Sequence, residues 1–282
     1  MSAIPAFPNP SNPLVSVITA VYNGARFIED AVTSVLAQRG VEVDFQVIDG
    51  GSADGTIDVI RKYADRLTGW VSEPDRGISD AFNKGLERAR GEYLMFLNSD
   101  DALAHPHALA DLVAHAAHTG WPDVVYGDCD LYDPDTGAFL YRAIINYDRR
   151  RFLQCEALPH PGMLMHRRYF EKYGRFDLSF KVAMDYELFL RGIPAVGASR
   201  APFLVTRVRA GGVSARSRGM VIEETIRALK MHGYLGAVGE ARMRAAYAVR
   251  GAARRALEIG GLYHVFDAAR RRIAKRADGD TL

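Results

Sequence analysis

Four times in its first hundred residues the chain runs from a short apolar stretch into a polar turn, and after the first three turns an amphipathic stripe follows. Leu14 to Ala20 reads as a strand, followed by Phe27, Ile28, Ala31, Val32, Val35 and Leu36 at helical spacing. Val43 to Ile48 predicts a second strand, and Ile57, Ile60, Ala64 and Leu67 a second helix. Gly69 to Ser72 is a short third strand, and Ala81, Phe82, Gly85, Leu86 and Ala89 mark a third helix. Tyr93 to Leu97 is wholly apolar, as a strand buried on both faces must be. This alternation demands a parallel sheet with helices on both sides.

Beyond Asp101 the pattern loosens. His107 to His118 reads as a helix, and Asp123 to Tyr126, Met163 to His166 and Phe203 to Val208 as strands. Asp133 to Gly137 has the chemistry of a hairpin turn. Asp185 to Arg191 opens a helix, and the chain is helical from Met220 onward. A net charge of +2 gives no reason to expect nucleic acid. Cys129 and Cys155 stand alone, so neither a disulfide scaffold nor a cysteine metal site is expected, and a reducing cytoplasmic setting fits. No run is long and apolar enough to span a bilayer.

Ligands of an open parallel sheet bind beyond the carboxyl ends of its strands. Here those ends carry Thr19 to Gly24, Asp49 to Gly55, Glu73 to Gly77 and Asn98 to Asp101. All four are polar and three bear carboxylates, which points to one site. Asp100 and Asp101 look like a hard-cation site, since Mg²⁺ and Mn²⁺ favour oxygen ligands; the alternative is that Ser99 or an aspartate caps the next helix. The glycine-rich stretch from Gly50 matches neither a dinucleotide fingerprint nor a P-loop. Asp54 reads as a cap, whereas Asp49, ending an apolar strand, needs a partner. Asp80, Asn83 and Lys84 lie on one face of the third helix, and Asp185 is either a chemical group or a first-turn acid.

Together these segments resemble the family-2 glycosyltransferases, in a flavour similar to the bacterial polysaccharide-assembly enzymes of the colanic-acid type. The likeness runs through Ser16–Asn23, Asp49–Thr56, Ser72–Gly85, Phe96–Asp101, His160–Gly162 and Met184–Arg191. It implies a GT-A fold: α/β and Rossmann-like, with a mostly parallel central sheet flanked by helices and a C-terminal helical extension. A proline-rich arm would cover 1–13, a catalytic domain 14–219 (donor half 14–101, acceptor half 102–219) and a basic extension 220–282. By resemblance, Thr19, Ala20, Val21, Asn23 and Asp49 hold the nucleotide base. Asp75, Asp80 and Arg76 line the nucleoside and sugar. Asn98, Ser99 and Asp100 occupy the D-x-D region beside the ribose and phosphate, and Asp101 binds Mn²⁺ or Mg²⁺. Asn98 departs from the family's aspartate there. Asp185 matches the catalytic base of an inverting displacement. Lys84, His160, Arg191, Arg207 and Ser214 are candidates for the diphosphate or acceptor, the last two in a glycine- and arginine-rich flap over Thr206 to Gly219.

The implied donor is a nucleotide sugar, UDP-linked by default, and the acceptor a saccharide or polyprenyl-linked saccharide. Ten basic residues between Glu240 and Arg276, with Leu262, Phe266, Ala269 and Ile273 at helical spacing, suit an anionic membrane surface on the inner face of the plasma membrane. The alternative is a helix packed on the domain or on a second subunit of a homodimer. Two other functions stay open at this level: a sugar nucleotidyltransferase and an inactive nucleotide-sugar-binding protein.

Overall fold

A computed structural model of the chain describes residues 15–155 and 158–259. The proline-rich arm and the Leu262–Ile273 stripe lie outside the described residues. Strands β1 (Val15–Val21), β2 (Val43–Asp49), β3 (Gly69–Ser72) and β4 (Tyr93–Phe96) run parallel in the order β3-β2-β1-β4. Helices α1 (Ile28–Leu36), α2 (Thr56–Lys62) and α3 (Ile78–Arg88) connect them. Every residue of β1 is buried, because helices cover both its faces. Glu29 and Asp30 open α1, where the helix dipole favours negative charge. α3 lies directly on β1 because position 85 is glycine: a Cβ there would fall 2.2 Å from Ile18 Cγ2.

The chain passes from β1 to β2 on one side and returns to β4 on the other. Between β1 and β4 the strand order reverses, and the crevice that binds ligands in such sheets opens there. It places the turn after β1 beside Asn98–Asp101.

The second half comprises β5 (Ala102–Leu103), α4 (Ala108–His118), β6 (Val124–Tyr132), β7 (Phe139–Ala143), α5 (Arg149–Phe152), β8 (Met163–His166) and α6 (Arg167–Tyr173). It ends with α7 (Met184–Val196), β9 (Ser199–Arg209), α8 (Val213–Arg216), α9 (Arg218–Met231) and α10 (Ala237–Ile259). Parallel pairing dominates only as far as β4. β8 is antiparallel to both β4 and β6, β7 to β6, and β5 to β9, while β9 runs parallel to β6. The β6–β7 hairpin closes as expected, with Asp133 Oδ1 accepting from the backbone of Asp135 and Thr136 and Gly137 at φ +68°.

β6 runs well past the Tyr126 expected from hydrophobicity. The apolar pattern stops where Asp128 and Asp130 enter the strand, but both charges are matched by neighbours. Arg200 on β9 and Arg142 on β7 each reach their aspartate at 2.7 Å. β9 likewise extends to Arg209, so the first part of the expected 206–219 flap is strand and Val213–Arg216 is helix.

One apolar layer, with Phe82, Phe96, Tyr169, Phe189 and Leu229, packs against one face of the sheet; the other contains Val17, Val32, Leu112 and Val205. Ala228 and Leu229 of α9 are fully buried in the first layer. The packed unit therefore continues through the boundary expected at residue 219. Among the described residues no helix is long and apolar enough to cross a membrane.

Candidate functional site

The first two strand-end turns are zipped together. Asn23, in the left-handed region at φ +50°, donates its N–H to Ser52 Oγ at 2.7 Å, and its side-chain oxygen accepts from Ala53 N at 3.0 Å. Gly24 N donates to Thr56 Oγ1, and Asp54 accepts from the backbone of Ala25 and Thr56. Asn23 tolerates this conformation because a short polar side chain can hydrogen-bond locally. Asp54 thus ties down the loop just before α2, although the N-cap position of that helix is Gly55, not Asp54. Thr19, Ala20 and Val21 are buried, and Thr19 shares its face of β1 with the core residues Val17 and Val21. Asn23 is the exposed member of this group.

Asp49 needs no base to satisfy it. Its carboxylate accepts from Gly51 N (3.1 Å), Ser52 N (3.0 Å), Ser52 Oγ (2.5 Å) and Ser72 Oγ (2.6 Å), and it is completely buried. The premise of an unpartnered carboxylate is therefore corrected: Asp49 organises the loop. Ser52 and Ser72, which no sequence pattern singled out, supply the donors. Directly above, the position a Cβ of Gly50 would take lies 2.4 Å from Asp75 Oδ2. Asp75 fills the space left by the glycine, is half-buried, and accepts from Gly77 N at 2.8 Å through its other oxygen.

Asp80, Asn83 and Lys84 of α3 face three different partners. Asp80 is held by Arg76, at 3.1 Å from both its backbone N and its guanidinium, and that pairing keeps the Asp80 carboxyl below the usual carboxylate range. Asn83 clamps the backbone of Phe176 through both ends of its amide. Lys84 reaches Glu73 at 2.8 Å and Pro74 O at 3.0 Å. Lys84 is therefore corrected from a diphosphate candidate to a brace for the Glu73–Gly77 turn.

At the end of β4 the two aspartates differ. Asp101 is buried, with Oδ2 accepting from the Asn98 amide at 2.9 Å and Oδ1 from Arg209 N at 3.1 Å. Asp100 is half-buried, and its Oδ2 lies 3.8 Å from the Cβ position of Gly212. Burial raises both carboxyls above their ordinary range, and for Asp101 the charge of Asp100 adds to the shift. Arg209 binds the Asp100 carbonyl at 2.7 Å, stacks over Phe27 at 4.5 Å and pairs with Asp30, so it locks β9 to this turn. Ser99 lies 3.4 Å from the Cβ position of Gly24, against the first turn.

A divalent cation fits this corner. Two adjacent carboxylates destabilised by burial, and Asp101 also by the charge of Asp100, are relieved by positive charge, and their oxygens suit Mg²⁺ or Mn²⁺. Each Asp101 oxygen already accepts one hydrogen bond and keeps a second lone pair, while half-buried Asp100 has the freer access. Among the described residues no group of three His, Cys, Asp or Glu could hold a metal by itself. The corner suits a cation that takes most of its ligands from a bound diphosphate. Arg207 and Ser214 are exposed on the neighbouring β9 and α8.

Asp185 lies in the first turn of α7, its side chain 29% exposed. The turn before it is clamped from α9: Glu224, which no sequence signal marked, accepts from the backbone of Lys181, Val182 and Ala183 at 2.8–2.9 Å. Phe180 is covered by Arg227 at 3.8 Å, and its carbonyl accepts from Ser79 Oγ on α3. Lys181 Nζ reaches Arg76 O at 3.3 Å. These bonds dock the Asp185 turn onto the Glu73–Gly85 segment. Arg191 is corrected from a diphosphate candidate: it is spent on Glu187, Tyr173 O and Arg175 O. His160 is 6% exposed in a cage of phenyl rings, so it contacts neither a diphosphate nor bulk solvent.

The signature of Glycosyl transferase family 2 matches residues 16–174. The chain belongs to that family. This family-2 glycosyltransferase is 34% identical over 183 residues to an uncharacterised glycosyltransferase of Mycobacterium tuberculosis, covering 64% of its own chain and 69% of the relative. It is 28% identical over 198 residues to a PGL/p-HBAD biosynthesis glycosyltransferase of Mycobacterium bovis, with coverage of 69% and 73%. Its fold is that of Staphylococcus aureus TarS 1–349 solved with UDP (TM-score 0.62, 19% identity, 81% of this chain and 68% of that one). It also matches the mannosyltransferase PcManGT from Pyrobaculum calidifontis solved with GDP-Man and Mn²⁺ (TM-score 0.60, 19% identity, 95% and 85%). The fold of this glycosyltransferase is thus GT-A, a curled mixed sheet flanked by helices.

Proposed function

We propose that this glycosyltransferase is an inverting enzyme that transfers one sugar from a nucleoside diphosphate sugar, UDP-linked by default, to a hydroxyl of a saccharide or lipid-linked saccharide. The observation that carries the reading is Asp185, a partly exposed carboxylate held beside the donor edge by bonds from both α3 and α9. Asp185 takes the proton of the acceptor hydroxyl while that oxygen bonds to the anomeric carbon; the bond from that carbon to the diphosphate oxygen breaks, and the configuration inverts. Asp75 and Asn23 face the nucleoside. Asp100 would hold a divalent cation, whose positive charge would offset that of the departing diphosphate. Arg207 and Ser214 lie where the phosphates would pass.

A thermal-shift panel tests the donor end. UDP, UDP-N-acetylglucosamine and GDP-mannose, with and without Mn²⁺, should raise the melting temperature, most strongly for the correct base and with the cation present. Asp100→Ala should abolish the increment due to Mn²⁺, whereas Asp101→Asn should retain it in a less stable protein. An undiminished increment in Asp100→Ala would remove the cation from Asp100.

We also place the acceptor at a lipid surface, with the enzyme peripheral on the inner face of the plasma membrane. One relative is named for PGL/p-HBAD biosynthesis. Met231, Tyr234, Val238 and Val249 stand exposed on and around the C-terminal helices, next to a strongly basic stretch of sequence. Full-length protein should float with liposomes containing phosphatidylglycerol, and a chain ending at Gly239 should stay in the soluble fraction. Equal flotation of both would refute the tail's part.

A further inference from the structure

The imidazole of His160 has no ordinary packing explanation. It sits on a short 3-10 turn, His160–Gly162, between Pro159 and Pro161. That turn is wedged against β6 and β9, since a Cβ on Gly162 would fall 2.9 Å from Cys129 Sγ and 3.4 Å from Thr206 Oγ1. The ring is caged by Phe82, Phe96, Phe176 and Phe189 with centroids 5.6–6.2 Å away, the Phe96 ring stacked on it. Phe189 lies one helical turn beyond Asp185 on α7, so the cage and Asp185 share one helix face. Nδ1 lies 3.8 Å from Asp185 Oδ2, and buried Nε2 has no hydrogen-bond partner among the described residues. A phenyl ring would fill this cage without an orphaned polar atom, so packing alone does not account for an imidazole.

We infer that His160 is a positioning residue for Asp185: its Nδ1–H is aimed at Oδ2 and holds the carboxylate where it meets the acceptor hydroxyl. The inference rests on the assignment of Asp185 as the base. Burial pushes the imidazole pKa down, so the ring is neutral and one nitrogen bears the proton. A bare Nδ1 lone pair facing the carboxylate would be repulsive, which selects the Nδ1–H tautomer and leaves a lone pair, not an N–H, among the phenyl rings. The 3.8 Å gap is of the kind that closes into a hydrogen bond when substrates assemble.

The position of Phe96 strengthens the assignment. It is the last residue of β4, two before Asn98, so the His160 ring touches the strand that carries the cation corner through Phe96 and the helix that carries the base through Phe189. His160 would thereby fix the spacing between the two ends of the reaction. Small misplacements at such a site cost rate and not donor affinity.

Two measurements test this. The first follows nucleoside diphosphate release from whichever of UDP-N-acetylglucosamine and GDP-mannose binds, with octyl glycosides as acceptors. His160→Phe should lower kcat by about tenfold to a hundredfold with the donor KM unchanged, and His160→Asn, whose amide can donate from near the Nδ1 position, should recover most of the loss. Equal losses in the two variants, or wild-type kcat in His160→Phe, overturn the inference. If His160→Phe does not fold, His160→Leu takes its place. The second measurement is ¹⁵N NMR of histidine-labelled enzyme, with His160→Asn identifying the signal: the Nδ1–H tautomer is expected, and an Nε2–H tautomer refutes the positioning role. Asp185→Asn, assayed alongside, keeps the two readings apart. If that variant turns over normally, the base is elsewhere; if it is inactive while His160→Phe is normal, only the role of His160 is lost.

Discussion

Asp185→Asn should lower kcat by about a hundredfold to ten-thousandfold, the range that a positioned general base contributes, and leave donor affinity near its original value. The asparagine keeps the volume of the side chain, and its oxygen can still accept from Tyr186 N as Asp185 Oδ1 does at 2.7 Å. What it cannot do is accept the acceptor's proton. The Glu224 clamp on residues 181–183 and the Ser79–Phe180 bond involve no atom of the Asp185 side chain, so the turn should hold its shape. The donor corner lies on other strands and should be unaffected. Single-turnover transfer and donor titration by thermal shift separate the two effects. Turnover close to wild type would place the base elsewhere.

Glu187→Ala should destabilise the fold by about 3–5 kcal/mol, the cost of stranding a buried charge partner, and lower the melting temperature by about 10 °C. Glu187 is fully buried and binds the Arg191 guanidinium through both oxygens, one of them at 2.9 Å from Nε. His232 Nε2, just past the end of α9, lies 2.7 Å from the same carboxylate. Arg191 in turn donates to Tyr173 O and Arg175 O. One carboxylate thus joins α7, the end of α6 and the end of α9. Alanine leaves a mostly buried guanidinium with carbonyls alone for company. The double variant Glu187→Ala, Arg191→Ala should regain part of the loss, because no unmatched charge remains. A single variant within about 2 °C of wild type would show that surrounding polar groups or water meet the charge, as many ion pairs contribute little.

Much of the donor half was legible from the sequence by itself. The alternation of strands and helices before Asp101 determined the parallel block, because strands buried on both faces must be apolar throughout and their crossover helices must carry a stripe. The order of polar turns then determined which residues could meet at one edge. Tertiary structure decided what each residue does there. Asp49 and Asp101 look like ligands in the sequence, yet their oxygens accept from Ser52, Ser72, Asn98 and Arg209, partners set by the fold. Asp75 and Asp100 are only half-buried. The strands of the second half outran their hydrophobic pattern because Asp128 and Asp130 find arginines on neighbouring strands, a compensation that no periodicity records. Glu224 and His160 come up against the Asp185 turn from positions far from it in the chain. Local pattern reports which residues are polar and which face they share; only packing brings distant ones within reach and determines which carboxylate is left free for a ligand.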